Sequence, residues 1–232
     1  MSRKRKTTVA AALVVLACAW LWTPPIHAMN TKPMNISDLV RESNQIVVGH
    51  VVAVGQGVGA NHLPYTDVEV KVSESILGAG ATTINFRQFG LQSPLPAADG
   101  RKYVGLVAGM PRYEAGEQVV LFLGKTSSIG FRTTIGLGQG KFALRGGNLE
   151  NDANNAGLFQ NVDLSKRHLD DKEKRLVTTT HGVVGSDSFL SFLRRAVKEK
   201  WWVAPTKKKT STPVQPGSAL PPSVSANGGL VQ

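Results

Sequence analysis

One cysteine, Cys18, stands in a chain of 232 residues. A single thiol forms no internal disulfide and supplies no cysteine metal cluster, so a fold built from this chain rests on its apolar core. Acidic residues are also scarce. Sixteen Asp and Glu face 27 Lys and Arg, for a formal net charge of +11. Aromatic residues are 6% of the chain, few enough that a core consumes most of them. Long hydrophobic runs are absent except at the start. Val9 to Trp22 is apolar over 14 residues, too short to cross a hydrocarbon layer of about 30 Å comfortably.

That run has a setting. "MSRKRK" precedes it as a basic region, and "TPPIHA" follows it, ending in the small residue Ala28. The three parts together read as a secretory signal over residues 1–28 with cleavage after Ala28. "VLAC" (Val15 to Cys18) offers a second route, a lipobox in which Cys18 would be lipidated and anchor the chain to a membrane. The apolar run continues past Cys18 to Trp22, which favours the first route. Loss of Arg3, Lys4, Arg5 and Lys6 with the leader lowers the net charge from +11 to +7. Export to the periplasm or beyond is therefore the expected localisation. The remaining positive charge is dispersed; its longest run is Lys207-Lys208-Lys209, in the tail.

The mature chain divides by pattern. Asn35 or Ser37 can cap a short helix in "NISDLVRES". "QIVVGHVVAV" (45–54) is β-branched on both faces, as in a buried strand, and a glycine-rich loop, "GQGVGANHLP", follows it. Val68, Val70 and Val72 alternate with charged residues, and Glu74 breaks the phase, which predicts a bulge near Ser73. Ile84 and Phe86 alternate in "TTINFRQFG", and "QVVLFLG" (118–124) is a continuous apolar strand. "GFRTTIG" and "GKFALR" predict two further strands. Six short strands with glycine turns predict an all-β domain over 29–145, a small barrel or sandwich. Residues 146–185 read as a polar extension or linker with one loosely held helix. Ser186 is expected to cap an amphipathic helix over 186–202, with Phe189, Leu190, Leu193 and Val197 on one face. The Pro-, Ser- and Lys-rich stretch 203–232 has the composition of a disordered tail.

Motifs for chemistry are few. Gly136, Gly138 and Gly140 alternate before Lys141, but a phosphate loop needs Gly-x4-Gly-Lys-Ser/Thr, and Phe142 stands in place of the hydroxyl. The stretch is expected to be a turn that uses glycine for positive φ and a strand crossing. Gly-x-Ser-x-Gly and His-Glu-x-x-His do not occur. His50, His62, His168 and His181 are scattered, with His50 inside a strand. Glu150, Asp152 and Asn154 alternate as calcium ligands would, without the glycine and terminal glutamate of a calcium-binding loop. Glu114 and Glu117 flank Gly116 and are a carboxylate pair of the kind a hydrolase uses, with a turn as the simpler reading. No catalytic, cofactor-binding or metal-ligating residue is assigned.

"SDLVRESNQIVVGHVVAV", "YTDVEVKVSESILGAG", "YEAGEQVVLFLG" and "GLGQGKFAL" together resemble a family of uncharacterised exported bacterial proteins. The pattern is also similar to netrin-like modules, including tissue inhibitors of metalloproteinases. The resemblance covers residues 36–145 and implies an OB-like five-stranded barrel. It transfers no inhibitory residue, because those inhibitors act through an N-terminal cysteine that the mature chain lacks. OB-folds that take single strands stack bases on aromatic residues. Here Tyr65, Phe86, Phe89, Tyr103, Tyr113, Phe122, Phe131 and Phe142 are shared with the core, and export also argues against nucleic acid as a partner. The resulting expectation is a non-catalytic exported binding or accessory module acting on a protein or envelope component, with no cofactor. The alternatives are an envelope hydrolase using Glu114 and Glu117, and an envelope protein anchored through a lipid on Cys18.

Overall fold

The computed structural model describes residues 32–97 and 100–202. The leader, with Cys18 and the Ala28 cleavage position, and the segment 203–232 lie outside the described residues. Helix α1 (Ile36–Glu42) opens the described chain, and Asn35 caps it: its Oδ1 accepts the Asp38 amide at 3.0 Å. Ile36 and Leu39, one turn apart, are its buried face.

β1 (Gln45–Val58) and β2 (Pro64–Leu77) form a long antiparallel hairpin, with β3 (Thr83–Phe89) beside β2. After a short two-stranded hairpin, β4 (Leu95–Pro96) with β5 (Lys102–Tyr103), come β6 (Gln118–Leu123), β7 (Lys141–Arg145), β8 (Asn148–Asn151) and β9 (Val184–Gly185). The main sheet is antiparallel in the order β3-β2-β1-β6-β7-β8-β9. Two further helices, α2 (Asp171–Val177) and α3 (Ser186–Lys198), complete the described elements.

The expected bulge is present. Val48 pairs with Glu74 and Gly49 with Val72, which leaves Ser73 unpaired in β2, and two further irregularities pass over Ile76 in β2 and Val52 in β1. The protein is β-rich, but no sheet closes among the described residues. The strand expected in "GFRTTIG" is reduced to two single bridges, Arg87 to Phe131 in parallel and Leu123 to Thr134 in antiparallel. β1 is longer than its pattern implies, and only 59–63 of the glycine-rich stretch lies between the strands.

Residues 146–185 are wired into the same sheet through β8 and β9. Leu149, Leu158, Phe159, Leu176 and Val184 from this stretch join the buried cluster of Ile36, Leu39, Phe122, Phe142, Phe189 and Phe192. These strands carry one apolar side chain each, Leu149 and Val184, too few to show a period of two. α2 is fixed at its start by a reciprocal capping box between Asp170 and Glu173. α3 begins at Ser186 itself. Gly185 occupies the capping position without a side-chain bond, so the expected serine cap is not formed; Ser186 is buried and its amide donates to Gly147 O at 2.9 Å.

Alternation in β1 and β6 separates two apolar clusters. Ile46, Val120 and Phe122 pack with the helices, whereas Val47, Val51, Val119, Leu121 and Leu123 join Val68, Val70, Ile84, Phe86 and Tyr113 in a second cluster. The face of β2 and β3 opposite that second cluster carries Asp67, Glu69, Asn85 and Arg87.

Candidate functional site

Gly136–Gly140 forms the turn that leads into β7. Leu137–Gly140 is one 3₁₀ turn, and of the glycines only Gly136 has positive φ (65°). Gly138 and Gly140 answer to space, contrary to the positive φ expected of them. An added Cβ would lie 2.2 Å from Ile135 O at Gly140 and 2.5 Å from Asp152 Oδ2 at Gly138.

Lys141, which spacing alone would leave exposed at a strand start, is buried. Its Nζ donates to Glu117 Oε1 at 2.7 Å, with both side chains under a tenth exposed. Nζ also lies 5.3 Å from the centre of the Tyr113 ring. The structure thus pairs Glu117 with a lysine rather than with Glu114, which is exposed and meets Glu117 Oε2 only through its amide at 3.4 Å. Burial pushes the Tyr113 hydroxyl far above its usual range. Partial burial likewise raises Asp152, against the opposing pull of Lys141. A cleft of about 220 Å³ beside this group is lined by Glu117, Lys141, Arg145, Glu150 and Asp152.

The asparagine-rich loop is a folded element. Asn151 Oδ1 accepts the amides of Ala153 and Asn155 at 3.0 and 2.8 Å, and Asn155 Oδ1 accepts the Asn151 amide at 3.0 Å. These turn bonds are made by Asn151 and Asn155, which lie between and beside the alternating Glu150, Asp152 and Asn154. Among the described residues no three His, Cys, Asp or Glu side chains gather as ligands. The histidines do not converge: His50 is exposed beside Gln118, its Nε2 2.8 Å from the amide nitrogen, and His181 faces Thr180.

An opening of about 600 Å³ lies over β1, β2 and β3 and under the β6–β7 connection. Register lines up its floor in two rows: Gly55, Asp67 and Arg87, then Ala53, Glu69 and Asn85. The Arg87 guanidinium is fixed on both sides. Its Nε and Nη2 donate to the two Asp67 oxygens at 2.7 and 2.8 Å, which raises its pKa further, and its Cζ sits 3.8 Å from the Tyr65 ring centre.

Glycines prepare this platform. A Cβ at Gly57 would come within 2.6 Å of the Tyr65 hydroxyl, so Gly57 admits the ring that carries Arg87; a Cβ at Gly55 would meet nothing within 4 Å. Arg132 forms the far wall. Its Nε donates to Gly124 O at 2.8 Å and its Nη2 to Gln45 Oε1 at 3.1 Å, and partial burial lowers its pKa.

Motif reasoning missed this groove, which no motif encodes. Its one sequence signal is the run of small residues Ala53, Gly55 and Gly57 at alternate positions in a strand of otherwise β-branched character. Comparison of the chain with family models, with curated proteins and with solved structures gives no match.

Proposed function

We propose that the protein is a non-catalytic binding module exported to the bacterial cell envelope, and that the groove over β1, β2 and β3 is its ligand face. One observation carries the reading. Gly55 is a strand-interior glycine with ordinary φ and open space above it, so neither backbone strain nor packing accounts for a residue that weakens a strand. Close approach of a ligand to the backbone does account for it. The lining charges balance, Asp67 and Glu69 against Arg87 and Arg132, which fits an extended, neutral, polar polymer of the envelope.

The finer fold reading belongs here too. Phe131 to Thr134 stands between β3 and β6 as the closing segment of a partly open OB-like barrel, a reading supported by two bridges and by Arg132 N donating to Arg87 O at 2.8 Å. In that architecture the face of the second and third strands, with the loop before the last strand, takes ligands. The groove lies there. Glu117 is committed to Lys141, and no particular observation favours the hydrolase alternative with Glu114. Export rests on the leader, and intact mass from the native host separates cleavage after Ala28 from a lipid on Cys18.

The test fills the groove. Gly55→Val adds a β-branched residue at an unobstructed strand position, so its melting temperature should equal or exceed that of the wild type. Titration with soluble peptidoglycan fragments, followed by amide NMR, should move Asp67, Glu69, Asn85 and Arg87 in the wild type and leave Gly55→Val unmoved. Shifts confined to other surfaces, or undiminished binding by Gly55→Val, would remove this assignment.

A further inference from the structure

From Arg101 to Tyr113 the chain carries Arg101, Lys102 and Arg112 and no Asp or Glu. The same stretch concentrates exposed apolar surface. Val104 is 70% exposed, and Tyr103 and Leu106 are each 48% exposed. Those three, within four residues, are half of the large exposed hydrophobic residues in the described chain.

The backbone beneath them is held in place. Tyr103 pairs with Leu95 and Lys102 with Pro96 in the small hairpin, and Gly105 O accepts the Leu91 amide at 2.9 Å. Gly105 sits so close to Pro64 that a Cβ would meet its ring carbons at 2.8 Å. Farther on, Gly109 O accepts the Gly138 amide at 2.9 Å, and Pro111 O accepts the Gln88 side-chain amide at 3.0 Å. These tethers are main-chain atoms, and Val107, Met110 and Tyr113 are buried or half-buried, while Tyr103, Val104 and Leu106 are left exposed to solvent. An apolar surface held out this way costs water ordering unless something covers it.

We propose that Lys102 to Leu106 is a docking surface for an anionic lipid bilayer. The chemistry selects this occupant. Anionic headgroups meet Lys102, an interfacial tyrosine fits Tyr103, and the acyl boundary takes Val104 and Leu106. A polyanion without an apolar layer would satisfy the cations and leave the aliphatic residues in water. The surface is separate from the groove over β1–β3 and does not depend on the function proposed for it.

The test is hydrogen exchange on the full chain with two kinds of vesicle, phosphatidylglycerol mixed with phosphatidylethanolamine, and phosphatidylcholine alone. The readout is local, so attachment through the N-terminal apolar run does not confound it. Amides 103–107 should exchange roughly tenfold more slowly on the anionic vesicles and at the free rate on phosphatidylcholine. Val104→Asp with Leu106→Asp should abolish that protection while core amides of β1 and β6 stay protected, which shows that the variant folds. Lys102→Glu should weaken protection several-fold, and added salt should do the same.

Three outcomes would overturn the proposal. Exchange at 103–107 unchanged on anionic vesicles would point to a protein occupant. Equal protection on phosphatidylcholine would remove the role of charge. Protection retained in the double aspartate variant would show surface electrostatics without insertion.

Discussion

At the scale of single residues, Lys141 shows how a position can be found by sequence and misread in its surroundings. The glycine turn before it was legible from spacing, and the missing hydroxyl at Phe142 excluded a phosphate cradle. Its partner was not legible, because Glu117 lies 24 positions away and meets it only through the β6–β7 pairing. Substitution at Lys141 should therefore be expensive. Lys141→Ala leaves the Glu117 carboxylate buried without its cation, and denaturant unfolding should register a loss of about 3–5 kcal/mol. Replacing both partners with apolar residues of similar volume, Lys141→Met with Glu117→Leu, should recover most of that loss, because the cost lies in the orphaned charge. A single substitution costing under about 0.5 kcal/mol would mean that water reaches the pair and screens it. Gly138 and Gly140 teach the companion lesson: a sequence marks a glycine but does not say whether conformation or space requires it, and here space does.

At the scale of elements, legibility followed periodicity. β2, β3 and β6 announce themselves by alternation or by an unbroken apolar run, and the phase break at Glu74 locates the bulge at Ser73. That bulge has a consequence for α3. It shifts the phase of β2 so that Glu74 comes within reach of the helix, where Arg194 Nε and Nη2 donate to its two carboxylate oxygens at 2.7 Å each. The bonds hold Glu74 below its usual value near 4.5 and raise Arg194. The sign follows from the depressed carboxylate: the pair stabilises the fold above the unfolded-state value and its contribution fades as pH falls through the lower folded value. Arg194→Met should cost about 0.5–1 kcal/mol at neutral pH, a modest amount because both groups are partly in water. Urea midpoints of variant and wild type should then converge as pH is lowered from about 4.5. A gap that persisted unchanged in acid would show that the arginine stem packs against the sheet and that its charge does little.

At the scale of the whole molecule, composition marked residue 145 as a break and the hydrogen-bonded order of strands does not. The stretch after Arg145 reads as polar because its buried residues are sparse, yet β8 pairs with β7 and β9 with β8. The helix-facing core is also shared across that point. Phe142 from β7 stacks at 5.2 Å on Phe189 from α3, while Phe192 meets Phe159, Trp201 and Trp202 at ring-centre distances of 5.8, 5.4 and 6.0 Å. Ile36 and Leu39 of α1 belong to the same cluster. Neither part can bury its apolar face alone. A fragment ending at Arg145 would leave Ile36, Leu39, Phe122 and Phe142 without their cover, and each such side chain contributes about 1.5–3 kcal/mol when buried, so the sum lost is comparable with the whole stability of a domain. The intact chain should therefore unfold in one transition, with calorimetric and van't Hoff enthalpies in agreement, and the fragment should lack near-ultraviolet dichroism and fixed side-chain resonances. A folded fragment, or two resolved transitions in the intact chain, would show instead that the strands before Arg145 carry their own core in the cluster of Val47, Val68, Val70 and Phe86, and that the helices dock on it as a dispensable layer.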